Sequence, residues 1–226
     1  MSVNGAPAYE RYSFEGRGEW LMRIGEASAL PILFVPPLFE EMNRTRALIA
    51  GVMRGLAAQG FGCWLVDLPG TGESERALEE CGWGDWRGGV MTSSKHVRER
   101  SGEPPLIASV RGGSLLEDAA EARCRWRFAP VPGASLARDL KRAALAGGGD
   151  WAGYPAPEEL KQAVEAAQPA AVERLRTARL ATDAGAADVK LAGPSLWRRS
   201  EPGTSPELAQ AMAEDIAEWS RTCGAS

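Results

Sequence analysis

Residues 108–114 read ASVRGGS, from Ala108 to Ser114. An apolar run, Pro105-Leu106-Ile107-Ala108, precedes them, and a helix-like segment, Ser114-Leu115-Leu116-Glu117-Asp118, follows. A strand, a sharp turn and a helix with G-x-S-x-G spacing is the arrangement that lifts a catalytic serine onto the tip of a strained turn. Laid on that spacing, Ser109 takes the first glycine position, Gly113 the last, and Arg111 the place of the nucleophile. The pattern predicts the turn, and puts an arginine at its tip.

Outward from this turn, strand signals alternate with helix signals. Residues 9–24 alternate loosely around Gly16-Arg17-Gly18, as a leading β-hairpin does. Pro31–Val35 and Phe61–Val66 are apolar runs, the pattern of parallel strands covered on both faces. A helix is expected over 43–59, with Asn43 as its cap and Gly60 at its end, and another over 83–100, weakened by Gly88-Gly89. Asp67-Leu68-Pro69-Gly70-Thr71-Gly72-Glu73-Ser74 is a loop by its Pro and Gly content. Beyond the turn come a strand over 124–131, a helix over 135–146 and a break at Gly147-Gly148-Gly149. Residues 157–179 read as two helices separated at Pro169, 187–192 as a last strand, and 206–219 as a closing helix capped by Ser205. The alternation predicts an α/β fold: a mostly parallel sheet flanked by helices, with right-handed crossovers.

Composition excludes several classes. The chain has 226 residues, 44% hydrophobic and 25% charged, ordinary for a globular protein with a real core. A net charge of −4 gives no electrostatic case for nucleic acid or an anionic membrane. The N-terminus lacks the features of a signal peptide, and no stretch approaches the roughly 20 apolar residues of a membrane span. Cys63, Cys81, Cys124 and Cys223 are scattered, and read as reduced thiols of a cytoplasmic protein. With one histidine and no clustered ligands, neither a metal nor another cofactor is expected.

A strand ending in Asp67-Leu68-Pro69-Gly70-Thr71-Gly72-Glu73-Ser74, then a helix, a strand and the sharp turn, resembles the α/β-hydrolase superfamily. Within it, the chain is similar to the second hydrolase family associated with the exosortase A system. The matching stretches are Pro36-Pro37-Leu38-Phe39-Glu40-Glu41-Met42-Asn43-Arg44-Thr45-Arg46, Trp83-Gly84-Asp85-Trp86, Phe128-Ala129-Pro130-Val131-Pro132-Gly133, Ala152-Gly153-Tyr154 and Gly193-Pro194-Ser195-Leu196-Trp197, with Glu201 beyond them. The resemblance covers most of residues 30–220 and implies one α/β-hydrolase domain over 1–226, with a short helical lid at about 150–183. It also implies a setting near exopolysaccharide and PEP-CTERM protein-sorting genes. An arginine at the turn agrees with that family while departing from the superfamily.

The superfamily triad runs Ser, Asp or Glu, His in chain order, its histidine being the base. Here His96 lies before the turn, in the expected helix 83–100, and reads as a packing or surface residue. Ser195 sits roughly where the histidine loop should be and is no base near neutral pH. Arg111 has two readings, which do not exclude each other. Its guanidinium, beside the N–H groups opening the next helix, suits an anionic ligand. Alternatively it pairs with Glu40 or Glu41 on the loop after the first sheet strand, since an unpaired buried charge is costly.

Candidate catalytic residues are therefore Arg111, Glu40 and Glu41, and candidate ligand contacts Arg111, Gly112, Glu40, Asn43, Arg46 and Tyr154. Ser109 and Ser114 read as small residues the turn requires, and Asp67 as a brace for its own loop. Trp83, Trp86, Trp151 and Trp197 read as core or lid packing, with a pocket lining as the other option. The leading function is a non-hydrolytic binding or accessory protein taking a small anionic or acyl ligand. The alternative is a non-standard hydrolase or acyl-transfer enzyme using Glu40 or Glu41 as base and the Gly112 N–H as oxyanion donor. A protein partner or a homo-oligomer is a third option.

Overall fold

The computed structural model describes residues 5–143 and 150–224. Eight strands form one sheet in the order β1-β2-β4-β3-β5-β6-β7-β8. They are β1 (Ala8–Phe14), β2 (Arg17–Ile24), β3 (Leu30–Val35), β4 (Phe61–Val66), β5 (Leu106–Val110), β6 (Cys124–Phe128), β7 (Leu175–Leu180) and β8 (Val189–Leu191). β2 runs antiparallel to β1 and β4, and every other neighbouring pair is parallel. The helices are α1 (Glu40–Ala57), α2 (Trp83–Ser101), α3 (Gly133–Ala143), α4 (Glu158–Ala166) and α5 (Pro206–Gly224).

The apolar strands are explained by two cores, one on each face. Ile32 and Phe34 pack with Leu48 and Val52 of α1 and Leu208, Met212 and Ile216 of α5. Leu33 and Val35 turn the other way, toward Trp86 and Val90 of α2, Leu136 of α3 and Leu160 of α4. Gly88 and Gly89 do not break α2. A side chain at Gly88 would come within 2.7 Å of the Phe14 ring, and one at Gly89 within 2.8 Å of Pro69, so glycine lets α2 lie close on the sheet.

The start of α2 is held by Asp85, whose carboxylate accepts from the Gly82 N–H at 2.7 Å and from Arg76 at 2.8 Å. Burial opposes its ionisation, yet these two donors hold the Asp85 carboxyl below its ordinary value. The contribution is therefore present above the unfolded value near pH 3.9 and lost as pH falls through the lower folded value. Asp85→Asn is expected to cost about 0.5–2 kcal/mol at pH 7, the usual range for a capping interaction, and less at about pH 3, below the unfolded value. Urea unfolding at the two pH values measures the difference.

Three expectations are corrected. α1 begins at Glu40, so Asn43 lies inside the helix; Phe39 precedes it, with φ 56° and no side-chain cap. The helix expected after the turn is two short 3-10 turns, Arg111–Leu115 and Glu117–Ala119. Gly112-Gly113 is a poor helix start, and Glu117 is drawn inward by Ser109 and Arg127. The second helix expected within 157–179 is instead β7, so the helical lid expected at about 150–183 does not extend as helix through Leu175–Leu180. Its Ala- and Arg-rich sequence suits a helix, but the segment pairs with β6 and β8 and buries Ala178 and Leu180. Tertiary pairing overrides a weak local preference. Residues 144–149, with the Gly147-Gly148-Gly149 break, lie outside the described residues.

Candidate functional site

β5 ends at Val110, and the chain turns sharply at Arg111, whose φ is 53°. A left-handed backbone costs a residue with a side chain of order 1–3 kcal/mol, so the surroundings must hold it. Gly113 lets the turn close. A Cβ there would lie 2.5 Å from the Val35 carbonyl oxygen and 2.6 Å from that of Pro36. Gly112 is buried under Leu136 and Leu38, 2.9 and 3.1 Å from where its Cβ would be.

The first turn of α1 lies above the elbow, and there Glu41 meets Arg111. Arg111 Nη2 donates to Glu41 Oε1 at 2.9 Å, and Nε reaches both carboxylate oxygens at 3.2 and 3.3 Å. Arg111 Nη1 donates to the Ala129 carbonyl at 3.4 Å. The guanidinium carbon lies 4.7 Å from the centre of the Trp197 ring, on the loop after β8. Asp139 of α3 lies 3.8 Å away, at the mouth. Arg111 and Glu41 are 7% and 5% exposed, so this is a buried, nearly bidentate pair. Burial raises the Glu41 carboxyl above its ordinary value, and the Arg111 guanidinium pulls it back.

Glu40 belongs to a second network. It accepts from Arg44 Nε at 3.2 Å, and Arg44 also donates to the Trp197 carbonyl at 3.1 Å. Asn43 donates to the Tyr154 hydroxyl at 2.8 Å, which reaches Glu40 at 3.5 Å. Burial and the Glu40 carboxylate push the Tyr154 phenol up to about 12. Glu40, Glu41, Arg44, Leu136, Asp139, Leu140, Trp197 and two rim arginines, Arg142 and Arg198, line a cleft of about 440 Å³, and Arg111 lies behind this lining, against Glu41, Trp197 and Asp139.

Arg46 does not join them. It donates to Asp67 at 3.0 Å, and Asp67 accepts from the Glu73 N–H within its own loop, as a brace does. Ser109 and Ser114 are fully buried, bonded to Glu117 and to the Arg111 carbonyl. His96 sits on α2 against Glu10, at 3.4 Å. Asp139, Arg142 and Arg198 carry no motif signal, and only the fold brings them to the cleft. Among the described residues, no cluster of three or more His, Cys, Asp or Glu suits a metal, and no helix is long and apolar enough to cross a membrane.

No family model matches the chain. Over 92 residues it is 35% identical to palmitoyl-protein thioesterase ABHD10, mitochondrial, of Bos taurus. That stretch is 41% of this chain and only 29% of the relative's length. In structure it is similar to a thioesterase domain from the curacin biosynthetic pathway, with TM-score 0.53 and 11% identity over 96% of this chain and 99% of that one. A protein from Agrobacterium vitis S4 assigned as a hydrolase gives TM-score 0.57 and 14% identity over 95% and 98%. With the strand order, the turn after β5 and these likenesses together, the chain has the α/β-hydrolase fold.

Proposed function

We propose that this chain is a non-hydrolytic binding or accessory protein on an α/β-hydrolase scaffold, taking a small anionic or acyl ligand in the cleft above Arg111. One observation carries the reading. The elbow tip, where a hydrolase presents its serine, carries an arginine clamped by Glu41, and Trp197 lies over it. A guanidinium has no nucleophilic lone pair to offer and stays protonated, and His96 is engaged with Glu10 of β1, away from the elbow. The resemblance of residues 36–46, 128–133 and 193–197 to the exosortase-associated family supports a setting in exopolysaccharide or PEP-CTERM systems. The cleft's charges are matched, Glu40 with Arg44, Glu41 with Arg111 and Asp139 with Arg142, except for Arg198. Among the described residues that rim cation has no side-chain partner, which favours a ligand with one negative charge.

A fluorophosphonate probe is expected to leave the protein unlabelled, and p-nitrophenyl esters and acyl thioesters to turn over no faster than in buffer. Stoichiometric labelling at Ser109 or Ser114 overturns this. The likeness to proteins described as thioesterases favours a second reading, an enzyme acting on an ester or acyl bond with Glu40 or Glu41 as base. Turnover abolished by Glu40→Gln establishes that reading instead.

A further inference from the structure

Resting on the ligand-binding reading, we propose that an apolar slot beside the cleft, now filled by the chain's own Trp151, takes the aliphatic tail of the ligand whose charged head lies in the cleft. Trp151, Ala152 and Gly153 have φ of 50°, 57° and 86°, three consecutive left-handed residues of which two bear side chains. Such backbone persists only where its surroundings hold it. What holds it here is apolar contact. The Trp151 indole is 2% exposed and meets the Phe39 ring edge-on at 5.2 Å, while Trp86 and Tyr154 flank the same ring at 5.3 and 5.6 Å. The backbone hydrogen bonds among residues 151–156 are local, Tyr154 N–H to the Trp151 carbonyl at 3.3 Å and Ala156 N–H to the Tyr154 carbonyl at 2.8 Å, and the polar tie to α1 is made by the Tyr154 hydroxyl, beyond the three left-handed residues.

The slot and the cleft share walls. Phe39, under the indole, is followed by Glu40, which lines the cleft. Leu136 and Leu140 also line the cleft and belong to the same buried cluster as Trp151. The Asn43–Tyr154–Glu40 bonds stand between the two. An aliphatic tail entering from the cleft replaces the indole's apolar contacts. Release of residues 151–153 relieves their strained backbone, which offsets part of the loss.

Calorimetry with sodium octanoate and with 1-octanol, together with hydrogen exchange, tests this. In the wild-type protein, saturating octanoate is expected to speed exchange across residues 150–156 and not across α1. Trp151→Ala is expected to bind both probes about tenfold more tightly, because no indole has to leave. Met212→Ala opens a cavity on the other face of the sheet and is expected to leave both affinities near wild type. Trp151→Leu gives the same comparison with a smaller gain if the alanine variant does not fold. Unchanged or slower exchange at 150–156 with octanoate bound, or no gain in affinity in either Trp151 variant, overturns the slot. If the Trp151 variants gain affinity for octanol but bind octanoate no better than octanol, the slot stands and the charged-head reading falls.

Discussion

Arg111→Ala is expected to melt roughly 6–20 °C below the wild-type protein, from a loss of about 3–5 kcal/mol for a broken buried pair and about 2–4 °C per kcal/mol in a domain of this size. The loss has a specific origin. Glu41 is 5% exposed and sits in the first turn of α1, so truncating Arg111 leaves a buried carboxylate without its guanidinium partner and with Asp139 nearby. The Trp197 ring loses the cation lying 4.7 Å from its centre. α1 then shifts to let water reach Glu41, and residues 36–46 lose their order, which hydrogen exchange reads directly. Arg111→Met combined with Glu41→Gln is expected to be milder than Arg111→Met alone, because the double change removes the stranded charge along with its partner. Glu40→Gln added to Arg111→Met is expected to rescue nothing, since Glu40 is bonded to Arg44 and lies outside the pair. Should Arg111→Ala melt within about a degree of wild type, the pair does not hold the fold, and Arg111 is free to serve a ligand.

The elbow and the centre of the sheet were legible in the sequence for a physical reason. A strand covered on both faces is apolar nearly throughout, and Leu30–Val35, Phe61–Val66 and Leu106–Val110 are of this kind, with Ser109 the polar exception, its hydroxyl donating to Glu117. The turn was legible because its geometry restricts residue type, and at Gly113 no side chain fits between Val35 and Pro36. β7 was not legible. Near the sheet edge its arginines stay partly exposed and pair with carboxylates, Arg176 with the buried Asp215 of α5 and Arg179 with Asp183, so no apolar run marks it. Of the site, Arg111 and the Glu40-Glu41 pair stood out by motif, but the choice of Glu41 over Glu40 depends on which side of the first helical turn faces the elbow. That required knowing that α1 starts at Glu40, with Phe39 rather than Asn43 before its first residue. Asp139, Arg142 and Arg198 are ordinary surface residues in sequence. They become cleft residues only because α3 and the loop after β8 converge above β5.

Arg127→Met is expected to be as damaging as Arg111→Ala, and its damage should grow with pH. Arg127 on β6 donates to Glu117 Oε1 at 2.6 Å and to the Ala170 carbonyl at 2.8 Å. The other Glu117 oxygen accepts from the Ser109 hydroxyl. Glu117 is 0% exposed and opens the second of the two short turns that stand where a helix was expected. Those turns have few backbone bonds of their own, so this cluster positions the segment that carries Arg111. Without Arg127, the carboxyl keeps only Ser109, and the expected loss is about 3–5 kcal/mol. Burial already raises the Glu117 carboxyl above its ordinary value, with Arg127 opposing, and removing Arg127 raises it further. The sign follows from proton binding. Above the unfolded value near pH 4.3, the unfolded chain has released this proton while the folded variant still holds it, so stability falls as pH rises toward the folded value. The deficit against wild type should therefore be smallest near pH 4 and widen toward neutrality. Glu117→Gln added to Arg127→Met removes the titrating group and should flatten that widening. Urea midpoints for the three proteins between about pH 4 and 8 decide the matter. A deficit that stays constant across that range means that Glu117 does not titrate there in the variant, and that the loss comes from packing alone.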